Sequence, residues 1–133
     1  MGDPRALPPV EGTPLDRQIH DLLDLITRSW TYHILMALIY GGPARFSALH
    51  KKIAGISQRL LTQRLHELEL QGLVSRSPES ATSRAVIYDV TARAQDLGPV
   101  FGSLREILQR WQKEDREPAA HRKARSPLHK SKA

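Results

Sequence analysis

A mainly α domain with one small β-hairpin is the fold class this sequence predicts, and three observations point to it. Apolar residues recur at helical spacing in successive segments between Leu15 and Trp111. One pair of segments, 73–77 and 85–90, reads as strands joined by a short polar link. The 133 residues, 40% hydrophobic, suit a single domain with one core. There is no apolar run of about 18 residues, so no membrane span is expected. The polar start, Met1-Gly2-Asp3-Pro4-Arg5, lacks a signal segment, so we expect a cytoplasmic protein. The absence of cysteine excludes a disulfide scaffold, a thiolate zinc site, a cysteine nucleophile and thiol redox sensing.

Residues 1–14 hold four prolines and read as an irregular arm. Leu15, Ile19, Leu22, Leu23 and Ile26 form the stripe of a first helix over 15–27, with Asp16 in its first turn, where a negative charge is favourable. A second helix runs from about Trp30 to Tyr40, with Ser29 as its expected cap. It is apolar nearly all round, as a central buried helix should be. Gly41-Gly42-Pro43 ends it. Phe46, Leu49 and Ile53 share one face of a short third helix. After the Ala54-Gly55 turn, Ser57 caps a fourth helix over 58–71, whose inner stripe is Leu61, Leu65 and Leu68. Gly72 stops it. The strands Leu73–Ser77 and Ala85–Val90 follow. Thr91 caps a last helical region, 92–113, which Gly98-Pro99 kinks or splits. Residues 114–133 are polar and basic and read as a disordered tail.

The net charge of +6 is not spread evenly. Residues 45–64 hold Arg45, Lys51, Lys52, Arg59 and Arg64 and no acid. Residues 118–133 also carry five basic residues and no acid, while the remainder is net acidic. The first basic block falls on the third and fourth helices, which with their tight turn make a helix-turn-helix; the hairpin after them is a wing. A fourth helix of this kind fits the major groove of DNA. On its outer face, Gln58, Arg59, Thr62 and Gln63 are the residues expected to contact bases. Arg suits guanine, Gln suits adenine, and Thr suits a thymine methyl. Arg45, Lys51, Lys52, Ser57, Arg64 and Arg84 are expected on the DNA backbone. Taken singly, such residues are ordinary solvated surface; their coincidence on one motif carries the expectation.

From Leu22 to Trp111, about two-thirds of the chain, the sequence resembles the HxlR-type family of winged helix regulators, relatives of the MarR group. The most specific stretch is Gly55-Ile56-Ser57-Gln58-Arg59-Leu60-Leu61-Thr62, supported by Arg28-Ser29-Trp30-Thr31, Arg45-Phe46-Ser47-Ala48-Leu49, Gly72-Leu73-Val74 and Val86-Ile87-Tyr88-Asp89-Val90-Thr91. The resemblance implies a homodimeric bacterial transcription regulator whose terminal helices form the dimer interface. It also implies Glu where this chain has Ile87, Gly where it has Ala94, and, in many members, a sensing cysteine near Asp16. This chain has none, so that mode does not transfer.

The residues themselves also favour a dimer. Leu15, Ile19, Leu22, Leu23, Phe101, Leu104, Ile107, Leu108 and Trp111 supply more apolar surface than a small winged domain easily covers, so they are the expected interface with a second copy. A small-molecule effector would find Trp30, Tyr32, His33, Met36 and Trp111, although helical aromatics are more often core. His20, His33, His50 and His66 show no metal-ligand spacing; no metal or cofactor is expected. No catalytic motif is present, so an enzyme is not expected. The expected partners are double-stranded DNA and a second copy of the chain, with the protein on the nucleoid when bound. The alternative is a winged module for protein contacts or architectural DNA binding. The tail is assigned either added phosphate contacts or solubility alone.

Overall fold

Thr13 and Asp16 start the first helix with reciprocal hydrogen bonds. The Asp16 amide donates to Thr13 Oγ1 at 3.2 Å, and the Thr13 amide donates to Asp16 Oδ2 at 2.9 Å. Hydrogen bonds from the Thr13 backbone and then its side chain hold the Asp16 carboxyl below its usual range. Helix α1 spans Pro14–Ile26, with proline in its first turn. This computed structural model describes residues 12–117. Most of the expected arm, and the basic segment 118–133 with its assigned roles, lie outside them.

Helix α2, Thr31–Gly41, buries Thr31, Ile34, Leu35 and Leu38. Its start differs from expectation. Ser29 does not cap it; the N-cap is Trp30, in the left-handed region at φ 72°, with no side-chain cap. The Ser29 hydroxyl is engaged elsewhere. Nor is α2 buried all round, since Tyr32 and Tyr40 are exposed.

A two-residue strand, β1 (Ala44–Arg45), follows the glycines and leads into α3, Phe46–Lys52. Periodicity cannot reveal an element of two residues, and none was expected. Helix α4, Gln58–Leu70, is capped by Ser57, whose Oγ accepts from the Leu60 amide at 3.0 Å. Gly72, at φ 72°, ends it. The Leu73 amide reaches back to the Leu68 carbonyl at 2.9 Å, and the Gly72 amide to that of Glu69 at 3.0 Å.

Strands β2 (Val74–Pro78) and β3 (Val86–Val90) form the hairpin, in register from Val74 opposite Val90 to Pro78 opposite Val86. Strand β1 adds to the other edge of β3, so the sheet is three-stranded and antiparallel in the order β1-β3-β2. Thr91 then caps α5, Ala92–Gln95, accepting from the Ala94 amide at 3.2 Å. The core of this unit, which ends at Gln95, is built on Ile34, Leu35, Leu38, Leu49, Leu61, Leu65 and Leu68, closed by Leu73, Val74 and Val90 from the wing.

The second unit begins at Asp96 and contains α6, Gly98–Asp115. The expected last helical region is therefore two helices. Gly98-Pro99 is the first turn of α6, where proline's missing N–H costs no helical hydrogen bond.

Candidate nucleic-acid interface

Helices α3 and α4 flank a turn, residues 53–57, that is fixed from three directions. Ile53 and Ile56 are buried. The His50 Nε2 lies 2.9 Å from the Ile56 carbonyl, where it donates, and the His50 ring stacks on Phe46 with centroids 6.3 Å apart. Gly55 sits at φ +97°, and a Cβ there would meet the Trp30 indole at 3.4 Å. The Trp30 ring thus covers the turn, which accounts for a tryptophan kept in a conformation costing about 1–3 kcal/mol.

The inner face of α4 is Leu61, Leu65 and Leu68, all fully buried. Opposite them Gln58, Arg59, Thr62 and Gln63 are exposed. Among the described residues the Arg59 side chain has no hydrogen bond or ion pair. Thr62 donates its hydroxyl to the Gln58 carbonyl at 2.8 Å, which leaves its methyl as the contact group. The Gln63 amide donates to Glu67 Oε1 at 3.3 Å.

Arg64, expected on the DNA backbone, is instead engaged inside the domain. Its side chain is only 13% exposed. Nε donates to the Ser29 carbonyl at 2.9 Å, Nη2 to Ser29 Oγ at 3.2 Å, and Nη1 to Glu67 Oε1 at 3.0 Å. Arg28 binds the other Glu67 oxygen at 2.9 Å and Asp24 at 3.1 Å. Asp24, Arg28, Ser29, Arg64 and Glu67 therefore tie the end of α1 and the following loop to α4. Burial alone would push the Glu67 carboxyl up. Hydrogen bonds from Arg28 and Gln63, with the charges of Arg64 and Arg28, outweigh it and lower it. The same contacts raise the Arg28 guanidinium, Glu67 contributing more than Asp24.

The remaining basic side chains are exposed. Lys51 and Lys52 end α3, and the Lys52 amine passes over Gly41 at the end of α2. Arg84 closes the wing loop, whose backbone is stitched by Ser80 and Ser83. Arg45 is ion-paired with Glu79, a partner that spacing did not suggest. Ile87, where the resemblance implies Glu, is the register partner of Arg45. Arg93 donates to the Gln71 carbonyl at 3.3 Å and so supports the end of α4.

Of the residues expected at a dimer interface, Leu15, Ile19, Leu22 and Leu23 are exposed on α1, with Leu15 at 62%. On α6, Leu104, Leu108 and Trp111 are exposed, Trp111 at 55%. Phe101 is only 8% exposed in the single chain, and Ile107 is half-buried. At the start of α2 the His33 ring lies against Trp30 and Tyr32, with centroids 5.5 and 5.9 Å away, whereas Trp111 belongs to the second unit. Among the described residues no cluster of His, Cys, Asp and Glu is arranged to hold a metal ion, and no helix is long and apolar enough to cross a membrane.

A capped helix with a polar outer face, a fixed turn before it and a hairpin after it define a winged helix-turn-helix fold. Residues 25–116 match the model of the HxlR-like helix-turn-helix family. The HTH-type transcriptional regulator YodB of Bacillus subtilis is 31% identical over 107 residues, covering 80% of this chain and 91% of YodB. A structure from Enterococcus faecalis V583, described as a MarR-family transcriptional regulator, aligns with a TM-score of 0.68. Its identity is 29%, over 81% of this chain and 98% of that one. Quinone-bound YodB aligns at 0.62 and 28% identity, over 71% and 98%. The chain belongs to the HxlR-like helix-turn-helix family.

Proposed function

We propose that this protein binds DNA sequence-specifically as a homodimer and regulates transcription by occupying a pseudo-palindromic promoter site. The observation that carries this is the outer face of α4. Gln58, Arg59, Thr62 and Gln63 are exposed together on a helix anchored by three buried leucines, and Arg59 has no partner among the described residues. Arg59 and Gln63 are assigned to base edges, with Gln58 and Thr62 beside them. Arg45, Lys51, Lys52 and Arg84, with the Ser57 end of α4, are assigned to phosphates. Arg64 leaves that set, because its donors are already engaged by Ser29 and Glu67.

The exposed leucines and isoleucine of α1, and the exposed Leu104, Leu108 and Trp111 of α6, support a second copy as partner. Phe101 adds little, being buried already. Two copies predict two half-sites about one helical turn apart. With no cysteine in the chain, thiol oxidation is not the signal. The basic segment 118–133 would add phosphate affinity without sequence preference.

Footprinting of the purified chain on DNA upstream of its own gene, at two salt concentrations, with sedimentation alongside, tests this. A symmetric footprint from a dimer is expected. Salt-sensitive binding without sequence preference, or a monomer that binds one half-site as well as two, would refute it.

A further inference from the structure

The wing presents its outer face with a carboxylate at the place where DNA phosphates are expected. Arg45 on β1 stands opposite Ile87 of the central strand, and Ile87 stands opposite Ser77 on β2. Arg45 and Ser77 therefore share one face of the sheet, and Glu79, two residues beyond Ser77, continues it. Arg45 and Glu79 meet there in an ion pair spanning the central strand. The backbone under Glu79 is fixed, since its amide donates to the Ala85 carbonyl at 2.8 Å, just beyond the last ladder pair. Both side chains are exposed, so the pair is open to exchange with another anion. A carboxylate and a phosphate offer a guanidinium the same kind of paired oxygens. Lys51, Lys52, Arg59 and Arg84 have no carboxylate partner among the described residues; Arg45 does.

We propose that Glu79 sets the DNA affinity of the wing by occupying Arg45 as a phosphate oxygen would, so that DNA must displace it. This rests on the DNA-binding function proposed above. Glu79 is a positioning residue, acting through Arg45. It lowers affinity for every sequence alike, and so sets the strength of binding without altering discrimination by α4. When DNA takes Arg45, Glu79 is left unpaired beside the phosphate backbone, which opposes binding further.

The test is fluorescence anisotropy of the full chain on its selected operator and on a random duplex across a salt series. It compares wild type, E79Q, R45A and the double variant, with thermal melts confirming that each is folded. E79Q should tighten binding to both duplexes about three- to tenfold and steepen the salt dependence by about one phosphate contact. The operator-to-random ratio should not change. In the R45A background E79Q should gain less than about twofold on the same salt-dependence argument. Unchanged or weaker binding by E79Q overturns the proposal. So does an equal gain in the R45A background, which would make Glu79 only a repelling charge. If the wild type binds no duplex, the DNA-binding function falls and takes this proposal with it; binding with no E79Q effect removes this proposal alone.

Discussion

Arg59 and Arg64 lie five positions apart on one helix and have opposite environments. Arg59, in the first turns of α4, is exposed and has no partner among the described residues. Arg64, the middle residue of α4, is mostly buried and gives hydrogen bonds to Ser29 and Glu67. One face of α4 is thus held by the domain, and the opposite face is left available. The difference teaches that a run of basic residues is not one surface. Position around the helix decides which guanidinium holds the fold and which can meet a ligand.

The comparison breaks most directly at Arg64. Arg64→Ala removes the donors to a backbone carbonyl and to a half-buried carboxylate, and should lower unfolding stability by about 2–3 kcal/mol in urea titrations. R64K should recover little of this, because an ammonium cannot reproduce the fork. Loss of DNA affinity at unchanged stability would instead place Arg64 at the phosphates.

Arg59→Ala should do the reverse. Operator binding should weaken by about 1–3 kcal/mol, with preference relaxed at one base position. Stability should stay within about 0.5 kcal/mol, as for an exposed side chain. Equal loss on operator and random DNA would make Arg59 a phosphate contact.

Acid sharpens the contrast more gently. The Glu67 carboxyl is lowered in the folded chain, so the unfolded chain takes up its proton first as pH falls. The stability Glu67 contributes is complete above the unfolded pKa of about 4.3 and is lost as pH falls through the lower folded value. Urea titrations from pH 6 to pH 3, a window that spans the ordinary carboxylate range, should show a shallower acid decline in E67Q than in wild type. Identical slopes would remove Glu67 from the contacts that tie the end of α1 to α4.

The smallest effect is expected at Thr31, the first residue of α2. The Thr31 hydroxyl is fully buried and has no hydrogen-bond partner among the described residues. Thr31→Val keeps the shape and should leave stability unchanged or raise it by up to about 1 kcal/mol. A loss beyond about 1 kcal/mol would show that the hydroxyl is satisfied in solution.

Elements with strong periodicity or a chemical stop were legible in the sequence. Ser57 and Gly72 bound α4 as their chemistry requires; β2 lies one residue later than expected, and β3 starts one residue later and ends where expected. Strand β1 was not legible, because two residues make no pattern and its pairing partner lies more than 40 residues away. The start of α2 departs from the local signal for a related reason. Ser29 has a good capping side chain, but Arg64, 35 residues later, claims it, and Trp30 takes the cap position to cover Gly55. The α4 face follows directly from spacing. The internal use of Arg64 leaves one local trace, Glu67 three positions on, and the Arg45–Glu79 pair leaves none.

Selection of binding sites from a random-sequence duplex pool, run in parallel with wild type and R59A, tests the role of α4 most directly. The wild type should enrich an inverted repeat with half-sites about one helical turn apart. R59A should retain the spacing and lose information at one symmetry-related pair of positions. No enriched sequence for the wild type, or the same motif undiminished in R59A, would contradict the assignment of this face to DNA.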